Sequence, residues 1–128
     1  MIYGIGTDLL RMARVERVWQ RHGQHFADKL LMPEEHAQLA EVGNKANFLA
    51  KSFAVKEAFV KAFGTGFRGV THHDVGVIRS AIGKPMLVFS AAMQTKLNGL
   101  GIIGCHLSLS DEDGRVLAFV VLETGATS

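Results

Sequence analysis

A chain of 128 residues, 48% apolar and 20% charged, has the makeup of one globular domain, at roughly 150 residues per domain, and not of a disordered segment. Its lone cysteine, Cys105, excludes an internal disulfide framework. The longest wholly apolar run, Val116 to Leu122, falls far short of the roughly 20 residues of a membrane helix. Asp8 interrupts the apolar N-terminal stretch, which argues against a secretion signal, so a single cytoplasmic domain over residues 1–128 is expected. Net charge is only +2, yet residues 31–44 carry −3 and residues 45–68 carry +4, with Glu57 the single carboxylate of the latter segment. Local positive fields attract anionic partners; two solvated helix faces would give the same pattern.

In chain order, Met1 to Thr7 is expected to form a strand in which Gly4 and Gly6 leave little bulk beside the backbone, with Asp8 at its end. Arg11 to His22 has helical periodicity, with Val15, Val18 and Trp19 on one side and Arg14, Arg17 and Arg21 in a stripe on another. Pro33 suits the first turn of a helix, and Glu34 and Glu35 favour its positive end. Phe48 to Phe63 contains neither proline nor glycine, and Gly64 supplies a stop. Phe48, Val55, Phe59 and Phe63 should face the core, while Ala50, Ala54 and Ala58 form a face that lets neighbouring backbone come close. Val75 to Ile78 and Met86 to Phe89 are expected strands around Gly83-Lys84-Pro85, and Ala91 to Leu97 a short helix. Ile102 to Ser110 and Arg115 to Glu123 form a hairpin about Asp111 to Gly114. Helices early and strands late predict an α+β fold, with an N-terminal strand and helices packed on a small, mainly antiparallel sheet.

Several residues could carry chemistry. Asp8 is either a turn former or a ligand. Glu57 and Lys61, four apart, make an ordinary helix ion pair worth about 0.2–0.5 kcal/mol or part of a site. Glu57 is flanked by Lys51, Lys56 and Lys61, and its helix runs into Gly64-Thr65-Gly66, whose amides could cradle phosphate or simply end the helix. Because helix C-termini disfavour anions, a phosphate there would need Lys61 to compensate. Two carboxylates from separate segments, beside phosphate-compatible neighbours, suit magnesium. The common nucleotide-binding glycine motifs are absent, and His72-His73 lacks metal-ligand spacing. His106, Ser108 and Ser110 share one strand face, which could bind phosphate or face solvent.

Gly6-Thr7-Asp8-Leu9-Leu10 with Arg14, the run from Phe48 through Lys56-Glu57-Ala58-Phe59-Val60-Lys61-Ala62-Phe63-Gly64-Thr65-Gly66, then Gly83-Lys84-Pro85 and Cys105 to Ser110 resemble the holo-[acyl-carrier-protein] synthases. These are the small, stand-alone 4'-phosphopantetheinyl transferases. The likeness runs from residue 2 to about residue 123. It implies magnesium-dependent transfer of the 4'-phosphopantetheine arm of coenzyme A to a serine of apo-acyl carrier protein, in fatty acid biosynthesis. It also implies a homotrimer whose active sites cross subunit interfaces. By the same resemblance Asp8 and Glu57 hold magnesium, Lys61 steadies phosphate charge, and Gly64, Thr65 and Gly66 line the coenzyme site. His106 and Ser108 lie near its phosphates, His106 among the catalytic residues, and Lys84 and Pro85 shape the adenine end. Arg14 and Arg21 engage the carrier protein's acidic helix. Many relatives carry arginine where this chain has Ser52, a position associated with coenzyme phosphate; Lys51 could substitute, although adjacent helix positions point about 100° apart. The region after the strand, Asp111-Glu112, also departs from many relatives, leaving the general base open.

Two other readings compete. A binding module could use the arginine stripe for RNA or an acidic protein, with steeply salt-dependent affinity, but it gives Glu57 no reason to sit among cations. A different magnesium-dependent phosphate enzyme, such as a nucleotide hydrolase, would release inorganic phosphate. The transferase reading expects no nucleic acid and no membrane.

Overall fold

The computed structural model describes residues 1–125. Strand β1 (Ile2–Arg11) leads into three short helices, α1 (Met12–His22), α2 (Gln24–Leu30) and α3 (Pro33–Leu39), and then the long α4 (Lys45–Phe63). A hairpin of β2 (Val75–Arg79) and β3 (Pro85–Phe89), helix α5 (Ala91–Gly99), and a second hairpin of β4 (Ile102–Glu112) and β5 (Arg115–Thr124) complete the chain. The main sheet is antiparallel in the order β1-β5-β4, and β2-β3 form a separate two-stranded sheet. This is the α+β arrangement expected.

Helix α4 is the axis of the core. Asn44 accepts a hydrogen bond from the Asn47 amide (3.0 Å) as N-cap, and Gly64, at φ 99°, closes the other end with its N–H on the Val60 carbonyl. The helix thus begins three residues earlier than its apolar period suggests, because the cap outweighs the polar first turn. One face presents Ala50, Ala54, Ala58 and Phe59, all fully buried. Against it lies β1, and the approach is closest where side chains are missing. A Cβ added to Gly4 would stand 2.0 Å from the Ala62 carbonyl oxygen, and one on Gly6 would stand 2.0 Å from that of Ala58. On β5, Val116, Ala118, Val120 and Leu122 face the same way and are wholly buried.

Strand β1 is longer than its glycine-rich start predicts. Leu9 and Leu10 continue it, pairing with Leu117 and Val116, because Leu10 follows the inward-facing alternation into the core. Asp8 is therefore not at a strand end but within the strand, opposite Ala118. Helix α2 has no counterpart in the sequence reading; Ala27 and Leu30 anchor it. The β4–β5 connection narrows to Asp113 and Gly114, both with positive φ, as a tight two-residue hairpin turn demands.

The other face of the main sheet is open and apolar. Leu9 is 66% exposed, Ile5 60%, Leu117 41% and Phe119 39%. No helix among the described residues is long and apolar enough to cross a membrane.

Candidate active site

Gly6 and Leu10 turn inward, so Asp8 between them also points at α4, where Glu57 and Lys61 occupy successive turns. Its side chain is only 17% exposed, and Lys61 Nζ lies 3.5 Å from Asp8 Oδ1 while donating to the Thr7 carbonyl at 2.9 Å. Burial is the main force pushing the Glu57 carboxyl above its usual range; the negative charge of Asp8 adds to it, and Lys61 and Arg14 pull the other way. Two carboxylates, a lysine and an arginine from β1, α1 and α4 therefore share one field. Lys61 makes its ion pair with Asp8 and not with Glu57, so the two are not the ordinary helix pair.

The Gly64-Thr65-Gly66 loop leaves α4 one turn beyond Lys61. Gly64 and Gly66 have φ of 99° and 60°, conformations that side-chain-bearing residues rarely adopt. Thr65 and Gly64 are exposed, and the Thr65 hydroxyl donates to the Gly66 carbonyl at 3.0 Å. Further along, His72 stacks on Phe67, with ring centroids 4.3 Å apart, and on Phe53 at 6.2 Å. His72 and His73 lie in a turn before β2.

His106 and Ser108 sit on the far side of the sheet. They alternate outward from Cys105, Leu107 and Leu109, and pair across β5 with Val121 and Phe119. Phe119 in turn pairs with Thr7, so this outward face is opposite to the one bearing Asp8. His106 Nε2 is 3.2 Å from Glu123 Oε1. Within one chain, His106 and Ser108 do not join Asp8, Glu57 and Lys61.

A third group gathers at the β4 edge. Lys51 Nζ lies 2.8 Å from Asp111 Oδ2, and the lysine holds the Asp111 carboxyl below its usual range. These two, with Arg79, Pro85, Leu109 and Ser110, line a cavity of about 180 Å3. It adjoins an apolar one of about 190 Å3 bounded by Val42, Phe48, Val77 and Leu109 among others. Lys84 is exposed on the turn just before Pro85, its N–H bonded to Ser80 Oγ at 3.1 Å. Arg79 is absent from the sequence reading; its signal was a cation ending a strand that converges on Gly83-Lys84-Pro85.

Two flanking positions turn inward. Lys56 is fully buried and belongs to the core, not to a basic surface around Glu57. Ser52 is also fully buried and donates to Glu35 Oε2, so in this chain position 52 faces the interior and not the cavity beside Lys51.

On α1, Arg14, Arg17 and Arg21 are exposed as a stripe. Together with Val18, Gln20 and His22 they border an open groove of about 660 Å3. Val18 is exposed at this groove instead of buried beside Val15. An apolar crevice formed by Leu10, Val15, Val18, Phe26 and Phe53 begins next to Arg14. Arg14 thus links the groove to the carboxylate pair. Among the described residues no three histidines, cysteines or carboxylates are grouped to hold a metal unaided.

Residues 4–118 match the family model of the 4'-phosphopantetheinyl transferase superfamily. A holo-[acyl-carrier-protein] synthase of Thiobacillus denitrificans is 48% identical over 128 residues, covering 99% of this chain and 98% of the relative. One of Neisseria meningitidis serogroup A is 46% identical, covering 96% and 99%. The crystal structure of holo-[acyl-carrier-protein] synthase from Neisseria meningitidis superposes with a TM-score of 0.92 at 46% identity, over 97% of this chain and 100% of that one. The Bacillus anthracis synthase in complex with CoA (3',5'-ADP) gives 0.80 at 32% identity, over 98% and 99%. With similarity along nearly the whole length in both sequence and fold, the chain belongs to the 4'-phosphopantetheinyl transferase superfamily, in its holo-[acyl-carrier-protein] synthase family of enzymes.

Proposed function

We propose that this chain, as one domain over residues 1–128, transfers the 4'-phosphopantetheine group from coenzyme A to a serine of apo-acyl carrier protein. The products are holo-acyl carrier protein and adenosine 3',5'-bisphosphate, and the reaction depends on magnesium and serves fatty acid biosynthesis in the cytoplasm. One observation carries the reading: Asp8 and Glu57, from separate elements, converge beside Lys61 at the mouth of the Gly64-Thr65-Gly66 loop.

The donor set suits magnesium. Hard oxygens, two at most from carboxylates, with the remaining positions left to water and phosphate, are what this ion takes, and Glu57 gains most from a cation because burial, and after it the charge of Asp8, opposes its ionisation. Asp8 and Glu57 would hold the ion, which would offset charge on the pyrophosphate as the bond to the leaving group breaks. Lys61, braced by the Thr7 carbonyl, adds a fixed positive charge at the same place. The loop glycines let coenzyme phosphates approach backbone amides. Lys51, Lys84 and Pro85 serve the adenine end, where a cavity with cations at its rim and an apolar floor suits a purine bearing phosphate.

The same proposal assigns the exposed sheet face to a homotrimer. Ile5, Leu9, Leu117 and Phe119 form a contiguous apolar surface of the kind monomers seldom leave bare, and His106 and Ser108 stand beside it. Packing this face on a neighbour would carry His106 and Ser108 toward that neighbour's Asp8 and Glu57. Arg14 and Arg21 would receive the carrier protein: an acidic helix with an apolar stripe matches arginines next to the Val18 and Phe26 crevice. Arg14, near Glu57, would bring the acceptor serine to the phosphates.

The test is intact-mass spectrometry of an apo-acyl carrier protein incubated with this protein, coenzyme A and magnesium, alongside a sample containing chelator. Gain of one phosphopantetheinyl group, abolished by chelator, is expected. No gain across several carrier proteins with folded enzyme would refute the reading.

A further inference from the structure

Glu35, Ser52 and Lys56 are the polar side chains buried outright among the described residues, and they form one network. The Lys56 ammonium donates to Glu35 Oε1 at 2.7 Å, to the His72 carbonyl at 2.7 Å and to the Val75 carbonyl at 2.5 Å. Glu35 Oε1 also accepts from the Met32 N–H at 2.9 Å. Its Oε2 accepts from Ser52 Oγ at 2.5 Å and from the Val77 N–H at 3.1 Å. Every ammonium proton and both carboxylate oxygens are used. The fold keeps room for this: a Cβ on Gly76 would come within 2.6 Å of the Glu35 carboxyl carbon.

Stability alone is a poor account of such a network, since apolar residues of similar volume often serve a core as well as a buried ion pair. What they cannot do is hold backbone carbonyls. The two carbonyls that Lys56 grips lie where the chain returns from the Gly64-Thr65-Gly66 loop to β2. The His72 ring, stacked on Phe67 and Phe53, fixes the same point from the side-chain direction. Lys56 also precedes Glu57 on the same helical turn, one directed into the core and the other into the site.

We propose that Lys56, locked in place by Glu35 and Ser52, is a positioning residue that sets the 64–72 loop at a fixed distance from Glu57, and so sets the contacts of that loop with coenzyme A. The proposal rests on the assignment of this loop to the coenzyme site. A latch of this kind acts on coenzyme binding more than on the chemical step, because Asp8, Glu57 and Lys61 are held by β1 and α4 independently of it.

The variants are Lys56→Met and, because that one risks misfolding, Ser52→Ala, which keeps the ion pair and removes one of the two hydrogen bonds to Glu35 Oε2. Two readouts are taken: amide hydrogen exchange with and without coenzyme A, and steady-state transfer. Amides of residues 64–74 should exchange on the order of tenfold faster in the variants while those of α4 stay protected. The KM for coenzyme A should rise on the order of tenfold, with kcat within about twofold of wild type and the KM for carrier protein unchanged. Unaltered exchange in the loop, or kcat falling in step with the folded fraction while KM stays constant, would overturn the latch. If the wild-type chain transferred nothing, the transfer reading would fail by itself. Coenzyme A protection of residues 64–74, present in wild type and lost in Ser52→Ala, would then still support the latch, and unchanged protection would overturn it.

Discussion

Gly6→Ala tests whether the closeness of β1 to α4 is what brings Asp8 and Glu57 together. The added Cβ would lie 2.0 Å from the Ala58 carbonyl oxygen and 2.7 Å from the Ala62 amide nitrogen. Both are backbone atoms of a helix interior, so no side chain can swing aside. Relieving the contact to an ordinary separation of about 3.4 Å or more requires β1 to retreat by more than about 1 Å. Overpacking of this kind costs about 3 kcal/mol, or a Tm lower by about 10 °C for a domain of this size. Asp8 is two residues along the same strand and retreats with it. Magnesium bonds oxygen at about 2.0–2.1 Å with little tolerance, so, on the proposed metal role, a retreat of that size would detach one carboxylate. The expected result, well below the new Tm, is a folded protein needing at least about tenfold more magnesium for half-maximal rate, with kcat down on the order of a hundredfold. Thermal melts, circular dichroism and magnesium titration of the transfer reaction measure these. Gly4→Ala, one turn of helix further from Asp8, should cost comparable stability with a smaller metal defect. A Gly6→Ala protein with wild-type magnesium dependence would refute the reasoning.

Glu57→Gln should abolish magnesium-dependent transfer yet raise the Tm of the metal-free protein. With a folded-state pKa raised above the ordinary value by burial, Glu57 stabilises the fold at low pH and loses that contribution as pH rises through the raised value; the variant's advantage therefore grows as pH climbs from below the ordinary carboxylate range through the raised value. Partial exposure keeps it below about 1 kcal/mol, and equal melts across that range would contradict it. Arg14→Glu should raise the KM for carrier protein on the order of tenfold with little change for coenzyme A, and equal effects on both would remove the docking role. Phe119→Asp, in the middle of the exposed sheet face, should convert a trimer to a folded monomer by sedimentation and abolish transfer; an active monomer would sink the shared-site proposal.

Much of this arrangement is legible in the sequence because it depends on local rules. The glycine stop at Gly64 marks the helix end, while the alanine face of α4 and the bare glycines of β1 each predict close packing, and these two meet in one contact. Alternation in β4 correctly separates His106 and Ser108 from Leu107 and Leu109. What stays hidden depends on partners distant in sequence. Lys56 looks like one more surface cation until Glu35, on another helix, is seen to neutralise it, and Glu35 itself looks like a first-turn helix acid. Asp8 looks terminal because the pairing that extends its strand lies in β5. Arg79 carries no motif; only the fold of the β2-β3 hairpin against Lys51 and Asp111 gives it a place.

The sheet that carries Asp8 on one side and His106 on the other has a consequence for inheritance. On the shared-site proposal, each site takes its carboxylates from one chain and its histidine from the next. Two inactive versions of the gene, one lacking Asp8 and the other His106, would then rescue each other when expressed together, since random mixing leaves about a quarter of the sites with both halves intact. The converse also holds: a chain that still assembles but lacks both residues would poison sites on either side of itself. A cell carrying it beside the normal gene would lose more activity than gene dosage alone predicts.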